Sequence, residues 1–303
     1  MTHPVSPESY QAAREFGGYV DFPNRARFRL SGGDRVRYLN GQVTNDVSLI
    51  EGDDAIYACV TNHKGKMDGD IYIAGEGDEA FLIDAPADLR KSLFLRLDKY
   101  IIADDAALTD VTDDWRLVHV LDGSWKIPGA DVRTSNRFGE AGRDCWLPAD
   151  AALPSDVPKI TPALAEILRI ERGIPRWGAE LSPEVLPPEA KLESRAISFT
   201  KGCYIGQEVI SRIRSVGRVN RTVERLEMVD GERLAPGMLL TGNDGKKAGH
   251  ITSAGWHPVT EKWIGLGFVK RSVSEPGSRL NANSPAEAEN ELSAEVEVKK
   301  MAL

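Results

Sequence analysis

With 303 residues, 41% hydrophobic and 28% charged, the chain has the composition of an ordinary soluble protein and room for two or three domains. A net charge of −8 argues against a protein that coats nucleic acid, and no apolar run approaches the ~20 residues of a membrane span. Three isolated cysteines, Cys59, Cys145 and Cys203, supply neither an even disulfide framework nor a paired metal-ligand set, which fits a reducing, cytoplasmic setting. The opening residues lack the basic and apolar regions of a secretory signal.

In chain order, Arg25 to Leu30 alternates charged and apolar residues, as a half-buried strand does. Val36, Tyr38, Leu39 and Val43 fall at helical spacing after an Asp34 N-cap. Tyr57 to Val60, Ile71 to Ile73 and Ala80 to Asp84 read as strands joined by turns at Asn62–Lys66 and Glu76–Asp78. Pro86 opens a helix whose Leu89, Leu93, Leu97 and Ile101 repeat every four residues. Trp115 to Leu121 is a further strand, whereas Pro128 to Pro148 reads as irregular and Ala149 to Pro162 as a linker. A helix from Ala163 to Arg172 stops at Gly173, with Pro175 just beyond. From about Gly217 onward, short strands separated by turns predict a small antiparallel barrel or sandwich.

The stretch Phe199 to Arg212 carries the most chemistry. It runs from a glycine-containing loop into a helix that starts near Gly206. A thiol beside a helix N-terminus sits near the positive end of the dipole, and Lys201 adds a full charge. Both favour a thiolate, so Cys203 is the candidate reactive atom and Lys201 its candidate partner; a small cysteine that merely packs is the competing reading. From Lys201 to Arg225 six cations face two anions, a local +4, which suits either a solvated surface or an anion site. The five histidines show no metal-ligand spacing, and no Ser-His-Asp pattern is present.

Lys201 to Glu208, Lys-Gly-Cys-Tyr-Ile-Gly-Gln-Glu, resembles the KGCYxGQE signature of the YgfZ family of folate-binding proteins, relatives of the glycine-cleavage aminomethyltransferase (T-protein). Tyr38 to Val47, Lys64 to Met67 and Leu168 to Pro175 resemble further segments of that family in the same order. The resemblance implies an α+β fold: a T-protein-like folate-binding cloverleaf over residues 1–216, internally two discontinuous subdomains, and a C-terminal antiparallel β-barrel over 217–303. It implies tetrahydrofolate as the ligand and a role in assembly or repair of iron–sulfur clusters, including those of tRNA-modifying enzymes. The partners would be folate and iron–sulfur enzymes or assembly proteins, with no membrane and no direct nucleic acid contact. The alternative is folate-dependent aminomethyl transfer.

Further candidate residues follow from the same resemblance. Asp70 is the surviving member of the transferases' Asp-Asp pair, since Gly69 replaces the other. Asp144 matches an acid that contacts the pteridine, and a carboxylate can accept two hydrogen bonds from an aminopyrimidine edge. Lys66, with Arg195, is a candidate for the glutamate tail. Glu171 is a ligand candidate for which an intrahelical bridge to Arg172 competes. Ala165 stands where the transferases carry an arginine, which weakens the case for aminomethyl transfer.

Overall fold

The computed structural model describes residues 4–301 apart from 24, 122–124, 154 and 286–290. Helix α1 (Pro7–Phe16) leads into β1 (Gly18–Phe22) and β2 (Arg25–Ser31), which belong to different sheets. Around β2 the chain builds an antiparallel sheet from β3 (Ala55–Thr61), β4 (Met67–Glu76), β5 (Ala80–Pro86) and β6 (Ala107–Asp110), in the order β3-β4-β5-β2-β6. One face of this sheet is covered by α2 (Arg35–Gln42) and α3 (Arg90–Asp98). There the predicted leucine stripe, Leu89, Leu93 and Leu97, packs with Phe28, Leu30, Ile71 and Ile73.

The second sheet joins β1 to β7 (Trp115–Leu121), β8 (Asp131–Ser135), β9 (Gly142–Pro148) and β10 (Lys159–Ile160), in the order β10-β1-β7-β9-β8. Two expectations change here. The segment read as irregular contains β8 and β9, and β2 is not half-buried. Arg27 on β2 is only 1% exposed because the second sheet closes over it, and its guanidinium lies between the rings of Trp115 and Trp146 at 4.4 and 4.1 Å.

Helix α4 (Pro162–Arg172) begins at Thr161, whose hydroxyl accepts the Leu164 amide at 3.3 Å, and ends at Gly173 in the left-handed conformation, φ 74°. Its apolar face joins both sheets to the barrel in one shared core. The approach to the barrel is close: a Cβ at Gly255 would lie 2.3 Å from Ile167 Cδ1. Two short helices, α5 (Glu193–Ala196) and α6 (Gln207–Ser215), precede the barrel. The barrel consists of β11 (Arg221–Gly231), β12 (Leu239–Thr241), β13 (Lys247–His257), β14 (Lys262–Lys270), β15 (Arg279–Asn283) and β16 (Ser293–Lys299). It closes in the order β11-β14-β13-β12-β15-β16, so no sheet edge is left open. The α+β fold with a C-terminal antiparallel barrel is as the sequence predicted.

Arg169 locks α4 to the barrel. Its guanidinium donates to Glu180 at 2.9 Å, to Ser253 on β13 at 2.6 Å, to the Ile174 carbonyl at 2.5 Å and to Glu166 at 2.7 and 2.9 Å. Glu180 is itself completely buried and also accepts from Thr252 and Ser253, each at 2.6 Å.

Candidate functional site

A cavity of about 580 Å³ opens between the two sheets and α4. Its walls are largely aromatic and apolar, with Phe22, Tyr57, Tyr72, Phe138 and Trp177 among them. Strand periodicity decides which side chains of β4 reach it, because successive residues point to opposite faces. Asp70 and Tyr72 line the cavity, while Gly69 faces the other way: a Cβ there would stand 3.0 Å from Leu89 Cδ1, under α3. Of Gly69 and Asp70, it is therefore the acid that faces the cavity.

Asp70 is 8% exposed. Its Oδ2 accepts from the Tyr57 hydroxyl at 3.0 Å, and its Oδ1 is buried with no partner among the described residues. Burial pushes this carboxyl up, against the pull of Arg25, the Tyr57 hydrogen bond and Arg137. A desolvated acceptor aimed into an aromatic cavity is a costly arrangement for a fold and a useful one for a ligand.

Asp144 lies behind the wall rather than in it. Its oxygens accept from Arg137 Nε at 2.7 Å, Arg137 Nη2 at 2.6 Å and share a 2.8 Å hydrogen bond with His119 Nδ1. Burial works to raise the Asp144 carboxyl, but the Arg137 guanidinium and His119 hold it well below the usual carboxylate range. With its acceptors taken, Asp144 has little left for a pteridine edge. Arg137 also pairs with Asp84, stacks over Tyr72 at 4.1 Å, and lines the cavity.

The other candidates divide. Arg195 lines the cavity, donates to the Asn136 carbonyl at 2.9 Å, and has a buried Nε with no partner and no carboxylate partner among the described residues. Lys66 is outside it, paired with Glu184 at 2.5 Å. Glu171 is also outside it and accepts from the Tyr10 hydroxyl at 2.8 Å, whereas Arg172 pairs with Glu140, so the intrahelical bridge does not form. Ala165 lines the cavity and offers only a methyl at that position, although Arg169, one turn further along α4, and Arg176 also border it.

Cys203 is exposed and is not part of the cavity wall. Lys201 does not serve it in the way expected. All three donors of the ammonium go to backbone carbonyls, Asn40 at 2.7 Å, Val43 at 2.8 Å and Asn45 at 2.7 Å. Lys201 thus caps the carbonyl end of α2, and burial pulls it down to about 8. The Ile205 amide donates to Gly41, the Thr61 hydroxyl donates to the Ile205 carbonyl at 2.5 Å, and a Cβ at Gly65 would touch Val209 at 3.0 Å. Gly206 itself, φ 91°, could not carry a side chain, since its Cβ would lie 2.6 Å from the Asn62 carbonyl oxygen. Three segments that are far apart in sequence, Tyr38–Val47, Lys64–Met67 and Lys201–Glu208, therefore form one joint that holds Cys203 outward.

Residues 2–122 match the GCVT N-terminal domain and residues 221–301 match the glycine cleavage T-protein C-terminal barrel domain. The chain is T-protein-like. It is 25% identical to an aminomethyltransferase of Thermoanaerobacter sp. (strain X514), covering 94% of this chain and 89% of that protein. It is 24% identical to an aminomethyltransferase of Desulfitobacterium hafniense (strain DSM 10664 / DCB-2), covering 90% and 84%. The crystal structure of glycine cleavage system aminomethyltransferase T from Bartonella henselae superposes with a TM-score of 0.84 at 18% identity, over 99% of this chain and 91% of that one. This T-protein-like chain has no helix among its described residues that is long and apolar enough to cross a membrane. Nor do those residues hold a His, Cys, Asp and Glu cluster suited to a metal ion.

Sequence reading alone missed Arg137, Tyr57 and Tyr72. The two tyrosines were within reach of it: Tyr72 is two residues from Asp70 on one strand, and Tyr57 pairs with Tyr72 across β3 and β4.

Proposed function

We propose that the cavity binds a tetrahydrofolate, and the observation that carries this is the partnerless Oδ1 of Asp70. A tetrahydropterin has a flat pyrimidinone ring with N–H donors along its edge. The aromatic walls suit its faces, Asp70 supplies an acceptor for an edge N–H, and Arg195 suits a carboxylate of the tail. When bound, the folate supplies nitrogens able to carry a one-carbon unit. Titration calorimetry with tetrahydrofolate tests this: saturable binding is expected, and its absence in the wild-type protein overturns the reading.

Aminomethyl transfer is the use favoured by the relatives' names and by a carboxylate kept at the cavity. It predicts turnover with an aminomethylated lipoyl carrier protein. A second reading, an accessory role in assembly or repair of iron–sulfur clusters as in the YgfZ branch, is favoured by the exposed Cys203 on a loop braced from behind. On that reading the thiol meets a partner or its cluster outside the cavity, and the chain divides functionally at 216/217. Cys203→Ser is then expected to leave folate affinity unchanged and stability within about 0.5 kcal/mol, as for other surface substitutions. The same variant should fail to rescue a cluster-deficient strain; full rescue removes the thiol from the account.

A further inference from the structure

The Asp84–Arg137–Asp144–His119 array is more elaborate than packing requires, and its orientation is informative. Nε and Nη2 of Arg137 are both taken up by carboxylates, leaving Nη1 with no hydrogen-bond partner among the described residues. Arg137 is 8% exposed and lines the same cavity as Asp70. The two meet through one pair of rings: Tyr57, which donates to Asp70 at 3.0 Å, packs on Tyr72 with centroids 4.8 Å apart, and the Arg137 guanidinium lies over Tyr72 at 4.1 Å. The wall thus presents an anionic acceptor beside a cationic donor, each with one unused position. That is the complement of a lactam edge, an N–H next to a C=O.

We infer that Arg137 is a specificity-determining residue that reads the 4-oxo side of the pterin, and that Asp144 and Asp84 are positioning residues that aim it. This rests on the folate reading above and adds to it which edge of the ring the protein recognises. The acid expected to touch the pteridine acts one step back, through the guanidinium. Arg195, less buried and without a carboxylate partner, is left for the tail. Because a site built to hydrogen-bond a group rejects an analogue that lacks it, the 4-amino counterpart of the ligand should bind poorly: it places a donor where Arg137 also donates.

The test compares tetrahydrofolate with tetrahydroaminopterin, which carries a 4-amino group in place of the 4-oxo group, by titration calorimetry on the full chain. The wild-type protein is expected to prefer the 4-oxo ligand by about 10- to 100-fold, the range of a charge-assisted hydrogen bond. Arg137→Gln should bring that ratio close to one. Since Arg137→Gln leaves the buried Asp144 without its guanidinium, whereas Asp84 keeps Arg25, Asp144→Asn serves as the second variant; it keeps Arg137 and is expected to reduce the ratio while the protein still melts cooperatively. Equal binding of the two ligands by the wild type overturns the inference but leaves the folate reading intact. So does a ratio unchanged in both variants, or an affinity loss confined to ligands that carry the glutamate tail. Failure of tetrahydrofolate to bind the wild type at all overturns the folate reading and this inference together.

Discussion

Asp70→Asn is expected to make the protein more stable and a poorer binder of folate. In the folded chain Asp70 keeps one oxygen buried and unpaired among the described residues, and burial raises its carboxyl above the ordinary value. A carboxyl raised by folding costs stability wherever the unfolded chain would be ionised, so the penalty is present at neutral pH. It is relieved as pH falls through the raised folded value. The amide keeps an acceptor for the Tyr57 hydroxyl while removing the charge. A gain of about 1 kcal/mol at pH 7, narrowing on acidification, is expected from urea unfolding at several pH values. Tetrahydrofolate affinity should fall by about 10-fold or more in the same protein, because a charged acceptor has become a neutral one. Lower stability at pH 7 together with undiminished affinity would show that Asp70 serves the fold and not the ligand.

Arg169→Met should have the opposite character, a large loss of stability at a residue that borders the cavity but spends its donors on α4, Glu180 and the barrel. Methionine fills much of the volume but strands Glu180, which is completely buried and carries its charge against the Arg169 guanidinium. Removing one partner of such a pair costs about 3–5 kcal/mol, mostly through the uncompensated charge. The double variant Arg169→Met/Glu180→Gln removes that charge and is expected to recover part of the loss, since Gln can still accept from Thr252 and Ser253. Denaturant midpoints for wild type, single and double variants form the check. A single variant within 1 kcal/mol of wild type, or a double variant less stable than the single one, would mean that the pair is not what holds α4 to the barrel.

How much of this was legible in the sequence depended on whether burial was achieved by apolar side chains. The leucine stripe of α3 and the short strands of the barrel carry their periods openly, because their inward faces are aliphatic. Strands β8 and β9 do not. Their residues include Arg133, Arg143 and Asp144, which are paired or hydrogen-bonded rather than excluded from the interior, so the hydropathic alternation is masked. Arg27 on β2 misled for the same reason. In the site, Asp70 could be found from its neighbours on the chain, but Arg137 could not. Its significance comes from Asp84, more than fifty residues away in sequence, and from a cavity wall that exists only once the two sheets face each other. The local features around Cys203 pointed to an activated thiol; the carbonyls that occupy Lys201 come from a distant helix and turn, and nothing in the local sequence announces them.

The joint around Cys203 has a practical consequence for how its motif can be handled. The loop takes its shape from residues 144 positions earlier at Thr61 and up to 161 positions earlier at Asn40. Closing such separations costs loop entropy, which the rest of the folded chain offsets and an isolated segment cannot. A synthetic peptide spanning Phe199 to Arg212 would contain the whole signature and none of its scaffold. It would show the thiol in many conformations rather than one, and a partner that recognises the surface around Cys203 would ignore it. Bait for such a partner has to be the complete folded chain.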